Sequence, residues 1–201
     1  YADYSVMPVL RRFKRREVLD NVALLFRYPA GCNMAFRRDA VMKVKGFDEG
    51  IQHSFDEDEF VERICKAGYK MILDPEVTVH HQHRSTLKGL LKQTFKYGRG
   101  GGFLLKNRGV KDKISQWILL NIILFTAWLT LIASLTFLTF TSGMNFLFPL
   151  LLFTVVPFLL LIFFYVYKAL KSREYLMVAY PVVDLLRIFV FCFGEIYGLL
   201  G

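Results

Sequence analysis

The second half of this chain limits its fold more than anything else in it. From about Lys113 onward the sequence is a nearly continuous apolar tract, broken at two places. Three windows in it reach the roughly 20 apolar residues that a bilayer-spanning helix needs. The first, about 117–140, holds no charged residue. The second, about 146–167, holds none either, and its Pro149 and Pro157 are of the kind membrane helices tolerate. The third, about 175–200, carries Asp184, Arg187 and Glu195. Asp184 and Arg187 are three residues apart, so on a helix they share a face and are placed to pair. Charges within a bilayer are costly and face protein or water. This window therefore reads as a third span or as an amphipathic or re-entrant helix in the interface.

The apolar share of 54% exceeds that of a typical soluble protein, and the tract accounts for the excess. A polar region, 1–113, thus precedes an all-α membrane region, 114–201, of two to three helices. No apolar leader opens the chain, which begins "YADYSVMPVL" and not with Met, as a fragment or trimmed chain would.

The formal charge of +9 is concentrated in "RRFKRRE", "LKQTFKYGRG", "KNRGVKDK" and "KALKSRE". The last two flank apolar windows, while the loop "TSGMN" is uncharged. The positive-inside rule then puts the polar region on the cytoplasmic face of a multi-pass protein of the cell membrane. Membrane lipids are the simplest partners of this charge. No nucleic-acid recognition motif accompanies it, so nucleic acid is not expected as a partner. Cys32, Cys65 and Cys192 form no C-x-x-C pair, so neither a disulfide framework nor a zinc site is indicated.

In the polar half, "GCNMAF" reads as a short buried strand and "RRDAVMKVKG" as a brief helix that Asp39 helps to cap and Gly46 closes. "GFDEG" is turn chemistry. "DEDEFVERICKAGY" reads as a helix with acids in its first turn, where the macrodipole favours them, and with Gly68 as its C-cap. "KMILDPEVTVHHQH" supplies two strand-like pieces around Asp74-Pro75.

The succession "AGCNMAFRRDAVMKVKGFDEG", "FDEDEFVERICKAGYK" and "DPEVTVHHQHRSTLKGLLKQTFKYGRG" resembles the C-terminal half of membrane-bound family 2 glycosyltransferases, which have a GT-A fold. The resemblance covers about 29–106 in detail and the membrane tail in arrangement. It implies an α/β fold class, a partial GT-A domain of the acceptor-side half, followed by membrane helices. It implies that Gly31 and Asn33 line the sugar and acceptor pocket. Counting back from Arg63, the catalytic base falls on Glu57, with Asp56 before it, and a shift of one residue selects Asp58. His81, and after it His83, match a strand-end histidine near metal and diphosphate. Gln93 matches the Q-x-x-R-W segment of processive members, whereas Phe95, Lys96 and Tyr97 do not reproduce its Arg-Trp. Single-sugar transfer is therefore better supported than polymerisation.

The chemistry calls for the same residue types. Inverting transfer needs a carboxylate to deprotonate the acceptor hydroxyl, and clustered carboxylates raise one another's pKa. The departing diphosphate needs positive charge, which a divalent metal, Mg or Mn, supplies. Lys96 and Arg99, with Lys92, are placed to hold phosphate charge, and Gly98, Gly100, Gly101 and Gly102 would allow close backbone approach. The implied partners are a nucleotide-diphospho-sugar donor and a lipid-linked or polysaccharide acceptor. No D-x-D in strand context precedes Gly31, so the donor-binding half is expected to be missing from the sequence. That absence motivates an alternative: a non-catalytic accessory or anchoring subunit carrying a glycosyltransferase remnant.

Overall fold

The computed structural model describes residues 15–20, 31–51, 54–80, 84–142 and 144–201. In chain order these form β1 (Glu17–Leu19), a 3-10 turn at Gly31–Asn33, α1 (Arg38–Lys43), α2 (Asp56–Lys66), β2 (Met71–Leu73) and α3 (Leu87–Arg108). Three long helices follow: α4 (Lys113–Ser142), α5 (Leu147–Ser172) and α6 (Tyr180–Leu200). Short 3-10 turns at Met144–Phe146 and Tyr175–Ala179 precede α5 and α6.

The polar part is smaller in sheet and richer in helix than the expected α/β layer. Its sheet has two strands, with β1 antiparallel to β2 in the register Glu17↔Leu73, Val18↔Ile72 and Leu19↔Met71. "GCNMAF" is not a buried strand. Gly31 and Cys32 are exposed in a 3-10 turn, and Asn33 Nδ2 donates to the Val77 carbonyl at 3.0 Å. That bond replaces the ladder a strand would have needed, because a side-chain amide competes with backbone pairing. Val77 and Val79 are likewise exposed outside any strand. A β-rich composition forms a strand only where a neighbour pairs with it, and β1 already pairs with β2.

α2 is as expected. Asp56, Glu57, Asp58 and Glu59 fill its first turn and Arg63 and Lys66 its last, matching both ends of the dipole. Gly68, at φ +92°, follows the last turn where a left-handed residue is needed. Two faces of α2 are buried. Phe60 and Ile64 pack on Ala40 of α1, with Phe60 stacked on Phe47 at 4.1 Å. Val61 and Cys65 pack on Met71 and Leu73 of β2. Burial pushes the Cys65 thiol above its ordinary pKa, so it is a packing group and not a nucleophile. Asp39 does not cap α1; its carboxylate takes hydrogen bonds from Arg37, the residue at the cap position.

α3 and α6 form the backbone of the second half, and glycines set their spacing. A Cβ at Gly98 would run into the Phe191 carbonyl, and one at Gly102 into the Glu195 carbonyl. From the other side, a Cβ at Gly194 would meet the Phe95 carbonyl and one at Gly198 the Arg99 carbonyl. Each helix thus carries a G-x-x-x-G, and the two motifs face each other, the arrangement that lets helix backbones touch. These glycines approach another helix, not a phosphate as their composition suggested. Gly100 and Gly101 face the opposite way, where a Cβ would crowd Ser54 and the Phe55 ring.

α4 starts at a cap: Asp112 accepts hydrogen bonds from Ser115 N at 2.7 Å and Ser115 Oγ at 3.0 Å. It is joined to α5 across the hairpin by Trp128 Nε1 donating to the Phe153 carbonyl at 3.1 Å. The expected Asp184–Arg187 pair forms at 3.3 Å, and Tyr165 of α5 donates to the same Asp184 carboxylate. Three segments, Lys113–Ser142, Met144–Ser172 and Tyr175–Leu200, are long and apolar enough to cross a membrane.

Candidate active site

The acidic start of α2 is held in place by the two residues that precede it, Ser54 and Phe55. Phe55, just before it, adopts the left-handed conformation at φ +68°, which a bulky residue holds only when its surroundings fix it. Here the Phe55 ring packs against the cluster of Leu104, Leu105, Ile118 and Ile122, and lies against Gly101. Beside it, Ser54 Oγ donates to the Tyr97 carbonyl of α3 at 3.0 Å. The first turn of α2 is therefore seated directly on the middle of α3.

Within that turn the carboxylates divide by task. Glu59, 3% exposed, accepts hydrogen bonds from Arg63 Nε and Arg108 Nη1, both at 2.6 Å. Arg63 continues to the Val44 and Gly46 carbonyls at 2.5 and 2.8 Å, and Arg108 to Asp48. Glu62 pairs with Lys66 at 2.6 Å. The Glu59 contacts are structural ties between α2, the 44–50 loop and the end of α3, whereas the Glu62–Lys66 pair lies within α2. Asp58 is buried at 5% exposure. Asp56 and Glu57 are half-buried and reach the surface. Glu57 also meets a second expected site residue: a Cβ at Gly31 would stand 2.7 Å from Glu57 Oε1.

The structure thus brings Gly31, Glu57 and, through Val77, Asn33 to one region. Gln93 joins its edge, since its Nε2 donates at 2.9 Å to the hydroxyl of Tyr97, whose carbonyl holds Ser54. Lys96 and Arg99 are exposed, and Arg99 lies over the Tyr197 ring at 5.5 Å. His81 and His83 fall outside the described residues. Among the described residues, no group of three or more His, Cys, Asp or Glu is placed to hold a metal ion. With Glu59 and Glu62 engaged by cations, Asp56 and Glu57 do not form a ligand set by themselves.

Arg108 and Asp48 carry the site without having stood out in the sequence, because the ion pairs join positions far apart in the chain. Arg108→Ala would leave buried Glu59 with one cation instead of two. It is expected to cost about 2–3 kcal/mol, the range for stripping one partner from a buried charged hydrogen bond. Thermal unfolding in detergent checks this.

The Arg108 hydrogen bond, helped by the Gly50 N–H at 2.9 Å, holds the Asp48 carboxyl below the ordinary aspartate range. Because its folded pKa is lowered, Asp48 stabilises fully above the unfolded value of about 3.9. That stabilisation is lost as pH falls through the lower folded value. Melting temperature should therefore fall with acidification below about pH 4, and Arg108→Ala should flatten that fall.

A family model described as glycosyl transferase family group 2 matches residues 20–167. The match runs from the end of β1 through the acidic helix and α3 into α5. No curated protein and no solved structure matches the chain.

Proposed function

Because the chain belongs to glycosyl transferase family group 2, we propose that it transfers a sugar from a nucleotide-diphospho-sugar to a lipid-linked or polysaccharide acceptor at a membrane surface. One observation carries the membrane-proximal part of this reading. The carboxylate-bearing turn of α2 rests on α3 through Ser54 and Phe55, and α3 rests on the apolar helices through its glycines. A base at that turn is held a fixed distance from the lipid phase, where a lipid-linked hydroxyl would be presented.

Glu57 is the base in this proposal. It reaches the surface against Gly31, where a carboxylate can receive the hydroxyl proton as the oxygen attacks the anomeric carbon. Asp56 beside it keeps the local field negative, and buried Asp58 supports the turn. Gly31 leaves room that any Cβ would remove, and Asn33 anchors the 3-10 turn to the segment after β2. Gln93 orders the neighbouring surface of α3 through Tyr97. The acceptor-side half of a GT-A fold remains the architecture this site is proposed to belong to. A magnesium or manganese ion, if one takes part, would arrive with the donor and would supply positive charge for a leaving diphosphate, since Asp56 and Glu57 form no ligand set of their own.

Titration calorimetry on the natural gene product, with nucleoside diphosphates and manganese, tests it. Binding in the micromolar range is expected, and heat-silent titrations across the common nucleotides would favour the non-catalytic subunit instead.

A further inference from the structure

Trp128 stands at the middle of α4, about 22 Å from Lys113 and about 21 Å from Ser142 along the helix axis. Indoles gather at the edges of a membrane, where water can take the ring N–H. At the centre of a long apolar segment no water is at hand, and a polar group must find its partner in protein. Here it does: Nε1 donates at 3.1 Å to the Phe153 carbonyl of α5.

That carbonyl is the one α5 leaves open. In an α-helix the carbonyl of residue 153 accepts the N–H of residue 157, and residue 157 is a proline, which has none. α5 nevertheless continues from Leu147 to Ser172. Pro149 makes no such demand, because it lies in the first turn of α5, whose N–H groups have no acceptor within the helix. Packing does little to hold the break at Pro157. Leu151, Leu152, Val155, Val156, Leu159 and Leu160 around it are all exposed. Trp128 itself is braced by aromatic rings. Phe189 of α6 meets it edge-on at 5.7 Å, and Phe125 of α4 stacks on it at 6.5 Å.

We infer that Pro157 and Trp128 form a hinge and its latch: the proline opens the hydrogen bonding of α5 within the apolar segment, and the indole of α4 closes it. Two polar groups that hydrocarbon would leave unpaired thereby satisfy each other. The latch also makes Trp128 the meeting point of α4, α5 and α6. Without the indole N–H the Phe153 carbonyl has lost its donor, and α5 bends at Pro157, the usual site of a sharp kink. The parts 147–156 and 158–172 then move against each other.

A double-mutant cycle tests the inference. Trp128→Phe removes the N–H and keeps an aromatic ring between Phe125 and Phe189. Pro157→Ala returns a backbone N–H to α5, so the Phe153 carbonyl no longer depends on the indole. The parent chain, both single variants and the double variant are melted in detergent. For distances, each also carries nitroxides at Leu124→Cys of α4 and Leu160→Cys of α5, both exposed positions, with Cys32, Cys65 and Cys192 replaced by alanine. Trp128→Phe should lower the melting temperature by about 2–4 °C, the shift expected for one hydrogen bond in a chain of this size. It should also broaden the distance distribution between the labels. In the Pro157→Ala background the same substitution should cost less than half as much and leave the distribution narrow. Equal effects in the two backgrounds, or no effect in either, would overturn the latch. Coupled melting shifts without broadening would overturn the hinge. If Trp128→Phe alone fails to fold, the double variant decides: recovery supports the latch and failure to recover overturns it.

Discussion

Glu57→Gln should reduce sugar transfer by roughly 10²–10⁴-fold, the contribution usual for a positioned general base. The amide keeps the size of the side chain and its contact with Gly31 while losing the proton acceptor. Its effect should fall on kcat and on kcat/KM together, because proton removal matters only in the transition state. Asp58→Asn provides the contrast. That carboxylate is buried in the same turn, so its loss should lower stability more than it lowers the rate of the folded fraction. If the two variants exchanged these behaviours, the base would be Asp58 and the register of the acidic run would shift by one.

Gly102→Leu is the second large effect, and it is structural. The new side chain would start inside the Glu195 carbonyl and reach the Leu199 amide, both backbone groups that cannot swing aside. α3 and α6 would have to part along their whole facing surface. The expected cost is about 3 kcal/mol or more, at the upper end for overpacking. Because Ser54 and Phe55 rest on the same helix, transfer should fall along with thermal stability. Gly109→Ala, at φ +65° but with open space around it, should cost less. Paired melting curves in detergent separate the two.

Strong local signals made much of this molecule legible in its sequence. The long apolar windows became α4, α5 and α6. The four consecutive acids became the first turn of α2, and Gly68 closed that helix. The order of short motifs led to a family that the match over residues 20–167 shows. "GCNMAF" misled because strand formation depends on a partner, and local composition cannot reveal whether one is available. The glycines of α3 were misread because a glycine signals close approach without naming what approaches. Their four-residue spacing, repeated at Gly194 and Gly198, was the overlooked signal.

The carboxylates show the same limit from another direction. In the sequence Asp56, Glu57, Asp58 and Glu59 are equivalent acids at a helix start. Only the tertiary contacts separate Glu59, engaged by Arg63 and Arg108, from Glu57, set against Gly31. Arg108 lies 49 positions from Glu59 in the chain, and no local pattern announces a pair that distant.

Sugar transfer at the membrane surface is open to one direct assay. The natural gene product in nanodiscs would be given a panel of radiolabelled nucleotide-diphospho-sugars and a lipid extract as acceptor. Label should enter the lipid fraction, nucleoside diphosphate should be released in equal amount, and both should be lost with Glu57→Gln. Label that never leaves the donor across the panel, or transfer that Glu57→Gln leaves intact, would contradict it.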